Sequence, residues 1–267
     1  MSDESPRKAL VCDQASSESC PIRCAVVIPA YNEARTLGPL LDQVLKKGQT
    51  VIVVNDASTD ETPAIASSRP VIVLNQPRHS GKGHALATGF RRAIELGFDF
   101  VITMDGDLQH DPADLPKFFY AAQRFPRDLI VGARLLNREE APKSRLFANR
   151  FADFWISWAS GQPLRDSQCG YRCIPCELLT QIQVPDLPGR GFVFESEFLI
   201  EACRRNRRVT FVAIRSSYPA NRRPSHFRPV ADILRITAMV AWKLISRGLY
   251  LKGLMSSLRS RAHVLED

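Results

Sequence analysis

The chain predicts an α/β protein with a mostly parallel central sheet flanked by helices. Three observations carry that reading. Short apolar, β-branched runs recur along the first half, apolar residues at helical spacing fill the stretches between them, and turn or capping residues separate the two kinds of segment. Strand and helix alternating at this interval leave a Rossmann-like half with right-handed crossovers as the simplest packing.

The first run, Cys24-Ala-Val-Val-Ile-Pro-Ala30, is apolar and closes at Pro29, which lacks the N–H needed to extend a ladder. Leu37, Leu40, Leu41, Val44 and Leu45 then mark a helix between Ala34 and Lys47, stopped by Gly48. Val51 to Val54 is a second strand. The following Asn55-Asp56-Ala57-Ser58-Thr59-Asp60 is rich in residues that cap a helix start. Val71 to Leu74 is a third strand, followed by Arg78-His79-Ser80-Gly81-Lys82-Gly83 and a helix with Ala85, Leu86, Phe90, Ala93, Ile94 and Leu96 on one side. Gly81-Lys82-Gly83 lacks the longer glycine spacing and the Ser/Thr after lysine of a Walker phosphate loop. Gly83 either lets the helix start approach a ligand closely or is an ordinary helix start.

The fourth strand, Phe98 to Met104, is broken only by Asp99 and ends at Asp105-Gly106-Asp107-Leu108-Gln109. Open α/β sheets collect ligands at such carboxyl ends. Two carboxylates one residue apart on extended backbone face opposite ways, but Gly106 permits a turn that brings both toward one point. Asp105 and Asp107 would then suit Mg²⁺ or Mn²⁺, with Gln109 adding a neutral oxygen. Read alone, the same residues also make a plain turn. A helix from Asp114 to Phe125 and a fifth strand from Asp128 to Val131 deliver Gly132-Ala133-Arg134. On the edge that carries the aspartates, Arg134 suits a diphosphate, because guanidinium matches phosphate oxygens in a fork; a solvated surface arginine is the alternative.

Beyond Arg134 the alternation weakens. Lys143 to Ser160 is an aromatic helix whose Phe147, Phe151, Phe154, Trp155 and Trp158 serve either as core or as a platform for an apolar acceptor. Leu164 to Arg172 is a polar loop with a strand-like exit, and Glu195-Ser196-Glu197 starts a helix to about Arg205. Tyr218 to Phe227 is a basic loop that could close over an anion. Val230 to Arg247 is an amphipathic helix carrying Arg235, Lys243 and Arg247, and Leu251 to Arg259 continues in the same style. Such a segment lies on an anionic membrane surface or packs on its own domain.

With 267 residues, 45% of them hydrophobic, the chain can bury a sizeable core in one large domain, with or without a small appendage. Its charge of +8 is concentrated late, since residues 201–267 hold fourteen Lys/Arg against four Asp/Glu. Nucleic acid, anionic headgroups or a phosphorylated substrate could meet that patch. Nucleic acid is disfavoured, because the segment has no matching run of stacking aromatics. Residues 1–23 are polar, read as a disordered tail, and show no signal-peptide pattern. No stretch reaches the ~20 apolar residues needed to span a bilayer. The expected location is therefore cytoplasmic, peripheral on the cytoplasmic face of a membrane. Seven cysteines fit free thiols in a reducing compartment. Cys169, Cys173 and Cys176 have the spacing of a radical-enzyme cluster motif, but Pro175 replaces its usual aromatic residue and too little chain follows for its barrel.

Five ordered segments, Val26-Val-Ile-Pro-Ala-Tyr-Asn-Glu33, Val53-Val-Asn-Asp-Ala-Ser-Thr-Asp60, Gly81-Lys-Gly-His-Ala85, Asp105-Gly-Asp-Leu-Gln109 and Gly132-Ala-Arg134, resemble the family 2 glycosyltransferases. Within them, the likeness is greatest to the dolichyl-phosphate mannosyltransferase and polyprenyl-phosphate sugar transferase branch. The resemblance implies a GT-A fold over residues 24–225, preceded by the tail and followed by a basic amphipathic helical segment, 226–267. It implies that Pro29, Tyr31, Glu33, Val54 and Asp56 hold the base and ribose of a nucleoside-diphosphate sugar. Asp105, Gly106, Asp107 and Gln109 would hold Mg²⁺ or Mn²⁺ and the diphosphate, with Arg134 beside the phosphates or sugar. Glu197 and Arg222 match later family positions, although Pro224-Ser225-His226 departs from the usual Gly-Ser-rich run. The implied activity is metal-dependent, inverting transfer from a UDP- or GDP-sugar to a lipid acceptor such as a polyprenyl phosphate. Transfer to a hydroxyl, with Asp166 or Glu197 as base, is the enzymatic alternative. A non-catalytic nucleotide-sugar-binding or scaffold subunit is the other.

Overall fold

The computed structural model describes residues 22–137, 143–182, 191–215 and 229–265. Its strands are β1 (Cys24–Ala30), β2 (Thr50–Asn55), β3 (Ile72–Asn75), β4 (Phe100–Thr103), β5 (Leu129–Arg134), β6 (Arg172–Pro175), β7 (Val209–Ile214) and β8 (His263–Leu265). They form one sheet in the order β3-β2-β1-β4-β6-β5-β7-β8. The helices are α1 (Leu37–Leu45), α2 (Thr62–Ser67), α3 (Lys82–Glu95), α4 (Leu115–Arg124), α5 (Lys143–Ser160), α6 (Cys176–Gln181), α7 (Gly191–Arg204), α8 (Pro229–Ile245) and α9 (Leu251–Arg259). Among the described residues, none of them is long and apolar enough to cross a membrane.

The first five strands stand where the apolar runs place them, and β1 is buried along nearly its whole length because helices cover both faces of a parallel sheet. Helix α3 crosses β1 and β2 at Gly89. A Cβ there would lie 2.4 Å from Val27 Cγ1 and 3.2 Å from Val54 Cγ2, so only glycine allows the approach. Gly89→Ala is expected to cost about 1–3 kcal/mol through overpacking. A lower urea midpoint at unchanged slope would show it.

Strand β6 runs antiparallel to both neighbours, β4 and β5. The chain reaches it through a loop, 161–171, that lies over the carboxyl ends of β4 and β5. Thr103 Oγ1 donates to Gly170 O at 2.6 Å, and Gly132 N donates to Tyr171 O at 2.8 Å. Entering from that edge, the strand has to run backwards. Its first residue therefore begins among the ligand-facing ends of the others.

Two strands lie where the sequence reading placed none. Strand β7 pairs in parallel with β5, and β8 pairs in parallel with β7, so the described part of the expected helical segment 226–267, residues 229–265, is helical through α8 and α9 but ends as a strand. A polar ladder fixes that end. Thr210 Oγ1 donates to Asp128 Oδ2 at 2.6 Å and sits 3.0 Å from His263 Nδ1, while Arg208 Nε donates to the same carboxylate oxygen at 2.7 Å.

Candidate active site

The loop after β4 gathers the chemistry. Gly106 does not supply its left-handed turn; Leu108 does, at φ 60°. What glycine provides is room, because a Cβ would lie 3.3 Å from Glu33 Cγ and 3.6 Å from Pro29 O. The expectation of a glycine hinge is corrected to a glycine of close approach.

The two aspartates have different partners. Asp105 reaches Lys82 Nζ at 2.6 Å, and Lys82 also reaches Glu195 Oε2 at 2.9 Å. Burial pulls the Lys82 ammonium toward deprotonation, but the two carboxylates outweigh it and raise its pKa. Burial, the largest single influence, likewise pushes Asp105 up, but the charge and hydrogen bond of Lys82 together with the other positive groups around it outweigh burial, so Asp105 is lowered. The Arg134 charge acts on Asp105 in the same sense. Asp107 turns instead to Gln109, accepting from its backbone N–H at 3.0 Å and lying in close contact with its side-chain amide. The Asp105 N–H donates to His110 Nδ1 at 3.2 Å. His110 is held below its ordinary pKa by burial, against the pull of both aspartates. A neutral imidazole is the form whose Nδ1 accepts.

Arg134 leaves the end of β5 and forks onto Asp166: its backbone N–H and Nε donate to Oδ2 at 2.8 and 2.7 Å, and Nη2 closes on Oδ1. Asp166 is itself placed by Asp153, whose carboxylate accepts from the Asp166 and Ser167 N–H groups at 2.9 and 2.8 Å. Beneath this loop the buried Arg172 donates to Cys169 O, Glu195 O and Ser167 O at 2.9, 2.7 and 2.8 Å. Burying a guanidinium is tolerable only when its donors are met, and these three bonds bind the loop to the start of α7.

The residues assigned to base and ribose divide. Pro29, Tyr31 and Glu33 line the edge: the Tyr31 ring stacks on His79 with centroids 3.9 Å apart, and the Glu33 backbone N–H donates to Thr62 Oγ1 at 2.7 Å. Asp56 is only 2% exposed. Its two oxygens accept from Ser80 N and Gly81 N at 2.8 Å each, and His79 Nδ1 lies 2.9 Å away. It thus anchors the loop before α3. Val54 is wholly buried under Gly89, so its side chain supports the edge from below and does not line it. Glu197 faces Lys243 of α8 at 3.0 Å. Two residues on a helix differ by about 200°, and it is Glu195, not Glu197, that faces the aspartates. Arg222 lies outside the described residues, as does the whole stretch Tyr218 to Phe227 expected to be a basic loop.

Lys82, Glu195, His110 and Gly170 complete the cluster. Lys82 stood in view within Gly81-Lys82-Gly83, hidden by comparison with a motif it does not match, and Gly170 carried no signal. A Cβ on Gly170 would lie 2.8 Å from Asp105 Oδ2, 2.9 Å from Lys82 Nζ and 3.1 Å from Glu195 Oε1. Gly170→Ala is expected to lower activity at least tenfold with a stability loss of about 1–3 kcal/mol. Paired turnover and denaturation measurements check both. Carboxylate and amide oxygens on one loop are the donors that Mg²⁺ and Mn²⁺ take, and Asp107 with Gln109 fits that chemistry. Among the described residues no three His, Cys, Asp or Glu side chains are already drawn together as a metal cage.

A Rossmann-like half whose carboxyl edge carries an acidic loop, a lysine and a forked arginine has the architecture of the GT-A fold. Residues 25–176 match the model of glycosyl transferase family 2, and the chain belongs to that family. It is 31% identical over 210 residues to the undecaprenyl-phosphate mannosyltransferase of Micrococcus luteus, covering 72% of this chain and 83% of that protein. It is 27% identical over 214 residues to the UDP-N-acetylglucosamine–dolichyl-phosphate N-acetylglucosaminyltransferase of Methanococcus voltae, covering 72% and 85%. Glucosyl-3-phosphoglycerate synthase from Mycobacterium tuberculosis, solved with Mn²⁺, UDP and glucosyl-3-phosphoglycerate, matches with a TM-score of 0.59 at 22% identity, over 85% of this chain and 80% of that one. That likeness is one of fold.

Proposed function

We propose that the protein transfers a sugar, with inversion, from a UDP- or GDP-sugar to a lipid phosphate of the polyprenyl type at a membrane surface. The observation that carries the reading is the meeting of Asp105, Lys82 and Arg134 at one sheet edge, beside Asp107 and Gln109. Mg²⁺ or Mn²⁺, held by Asp107 and Gln109 and joined by Asp105, would supply a Lewis acid for the departing diphosphate. Lys82 and Arg134 are preorganised positive partners for the same developing charge. An acceptor approaching from the far face of the sugar inverts the anomeric carbon in one displacement.

A lipid phosphate is already an anion near neutral pH and needs positioning, not a base. The structure supports that choice in one respect: both oxygens of Asp166 are taken up by Arg134, so its part is to aim the guanidinium. Asp166→Asn is expected to lower the rate while leaving the shape of the pH–rate profile intact. Loss of a limb near neutrality would instead make Asp166 the base of a hydroxyl-directed transferase. The names of the two relatives also favour a polyprenyl acceptor. Peripheral attachment through α8 and α9 on the cytoplasmic face completes the proposal, since Leu234, Trp242 and Ile245 stand exposed on α8.

The decisive experiment incubates the purified protein with a panel of UDP- and GDP-sugars and a membrane lipid extract, then identifies products by mass. A sugar-1-phospho-polyprenol is the expected product. Sugar found only on a hydroxyl acceptor would replace the proposal with its alternative.

A further inference from the structure

We propose that α5 joins α8 and α9 in one surface that docks on an anionic lipid bilayer. This rests on the lipid-acceptor reading above and extends its membrane contact to a helix far from the chain's end. Phe147, Phe151 and Phe154 are 73%, 51% and 43% exposed, so these three do not serve as core. Their spacing of four and three residues sets them in one stripe along α5. Trp155 and Trp158 lie deeper, against the core.

The stripe continues past the helix end. The Phe154 and Trp158 ring centroids are 6.3 Å apart, and Trp158 Nε1 donates to Leu249 O at 2.8 Å. Leu249 is the corner between α8 and α9, where it and Tyr250 take left-handed φ values of 64° and 41°. Such backbone persists in non-glycine residues only when its surroundings impose it. Here Tyr250 is seated against Gly161, where a Cβ would lie 2.7 Å from its hydroxyl. The corner is thus fixed onto the end of α5 with Leu249 and Leu251 exposed beside the stripe. Trp242 on α8, 70% exposed, and Leu258 on α9 extend the apolar ground on either arm.

Charge selects the occupant. Residues 233–265 contain six Lys/Arg and no Asp or Glu. Arg235, Arg247, Lys252, Arg259 and Arg261 among them are exposed. An apolar stripe bordered by a single sign of charge matches acyl chains beneath anionic headgroups. Pairing this face with a second copy would set cation against cation.

The test is co-sedimentation of the full chain with phosphatidylglycerol–phosphatidylcholine vesicles, alongside the triple variant Phe147→Ser, Phe151→Ser, Phe154→Ser. All three side chains are exposed, and thermal unfolding confirms that the variant folds. The wild type is expected to bind, more weakly at high salt and on pure phosphatidylcholine, and the variant to bind at least about tenfold more weakly. Nucleotide release from a sugar donor in the absence of vesicles is expected to be equal in the two. Equal vesicle binding by wild type and variant would overturn the role of α5. A wild type that ignores vesicles and doubles its mass in sedimentation would make the face a contact between copies. Vesicle binding that depends on α5, with no sugar transfer to any lipid, would keep the surface and sink the lipid-acceptor reading instead.

Discussion

Replacing Asp107 by alanine is expected to lower sugar transfer by about 10²–10³-fold, or roughly 3–4 kcal/mol of transition-state stabilisation. The residue sits on a loop, half-buried, and its carboxylate accepts from the Gln109 backbone N–H at 3.0 Å. Folding therefore survives its removal, while the site loses the carboxylate least committed to other side chains of the cluster. Mn²⁺ titration separates the causes. In the wild type, activity should rise to a plateau with added ion; in the variant, it should stay low across the whole range. Asp107→Asn keeps an acceptor for the Gln109 N–H and removes only charge, so it should resemble alanine in rate. Unchanged turnover in both variants would remove the ion from this loop.

Lys82→Met is the second large effect. Its ammonium lies between Asp105 and Glu195, with side-chain exposures of 18%, 30% and 10%, so removing it strands two poorly solvated carboxylates. A buried pair broken on one side costs about 3–5 kcal/mol. The sign with pH follows from the directions of the shifts. Asp105 is lowered, so its contribution is fully present above the ordinary carboxylate value of 3.8 and is lost as pH falls through the folded-state value. Lys82 is raised, so its contribution is fully present below the ordinary value of 10.5 and is lost only as pH rises through the higher folded-state value. The contribution of this pair to wild-type stability should accordingly be flat from about pH 5 to about pH 9, measured by urea denaturation. The gap to Lys82→Met should narrow as pH falls, because a carboxylate left without its ammonium takes up a proton more readily; a gap that widened toward low pH would show that another group governs the cluster.

Much of the parallel half was legible because each strand there is a local apolar run and each helix a local periodicity. Strands β7 and β8 were not, and β6 showed only as a strand-like exit from the polar loop before it. Strand β6 has four residues, and what makes it a strand is the pairing of both its edges, with β4 and β5, which no local pattern contains. Strand β8 has three residues, fixed by neighbours more than fifty positions away in sequence. In the site, Asp105, Asp107, Gln109 and Arg134 were readable as chemistry placed at strand ends. Lys82, Glu195 and Gly170 meet them only through tertiary packing. The two acids in Glu195-Ser196-Glu197 look equivalent in sequence, whereas the helix turns Glu195 to Lys82 and Glu197 to Lys243. Gly106 was read for its backbone freedom, whereas what the structure asks of it is space beside Glu33 and Pro29.

The placement of β8 has a consequence for how the molecule meets any surface. The amphipathic pair α8–α9 is gripped by the Glu197–Lys243 ion pair on one side and, past α9, by the ladder that holds His263 beside Thr210. With its corner also held by Trp158 at Leu249, it is moored at three points and cannot trail as a loose leash. A flat boundary reached by that pair must meet the body at one fixed inclination, so the catalytic edge is offered at a set height and tilt.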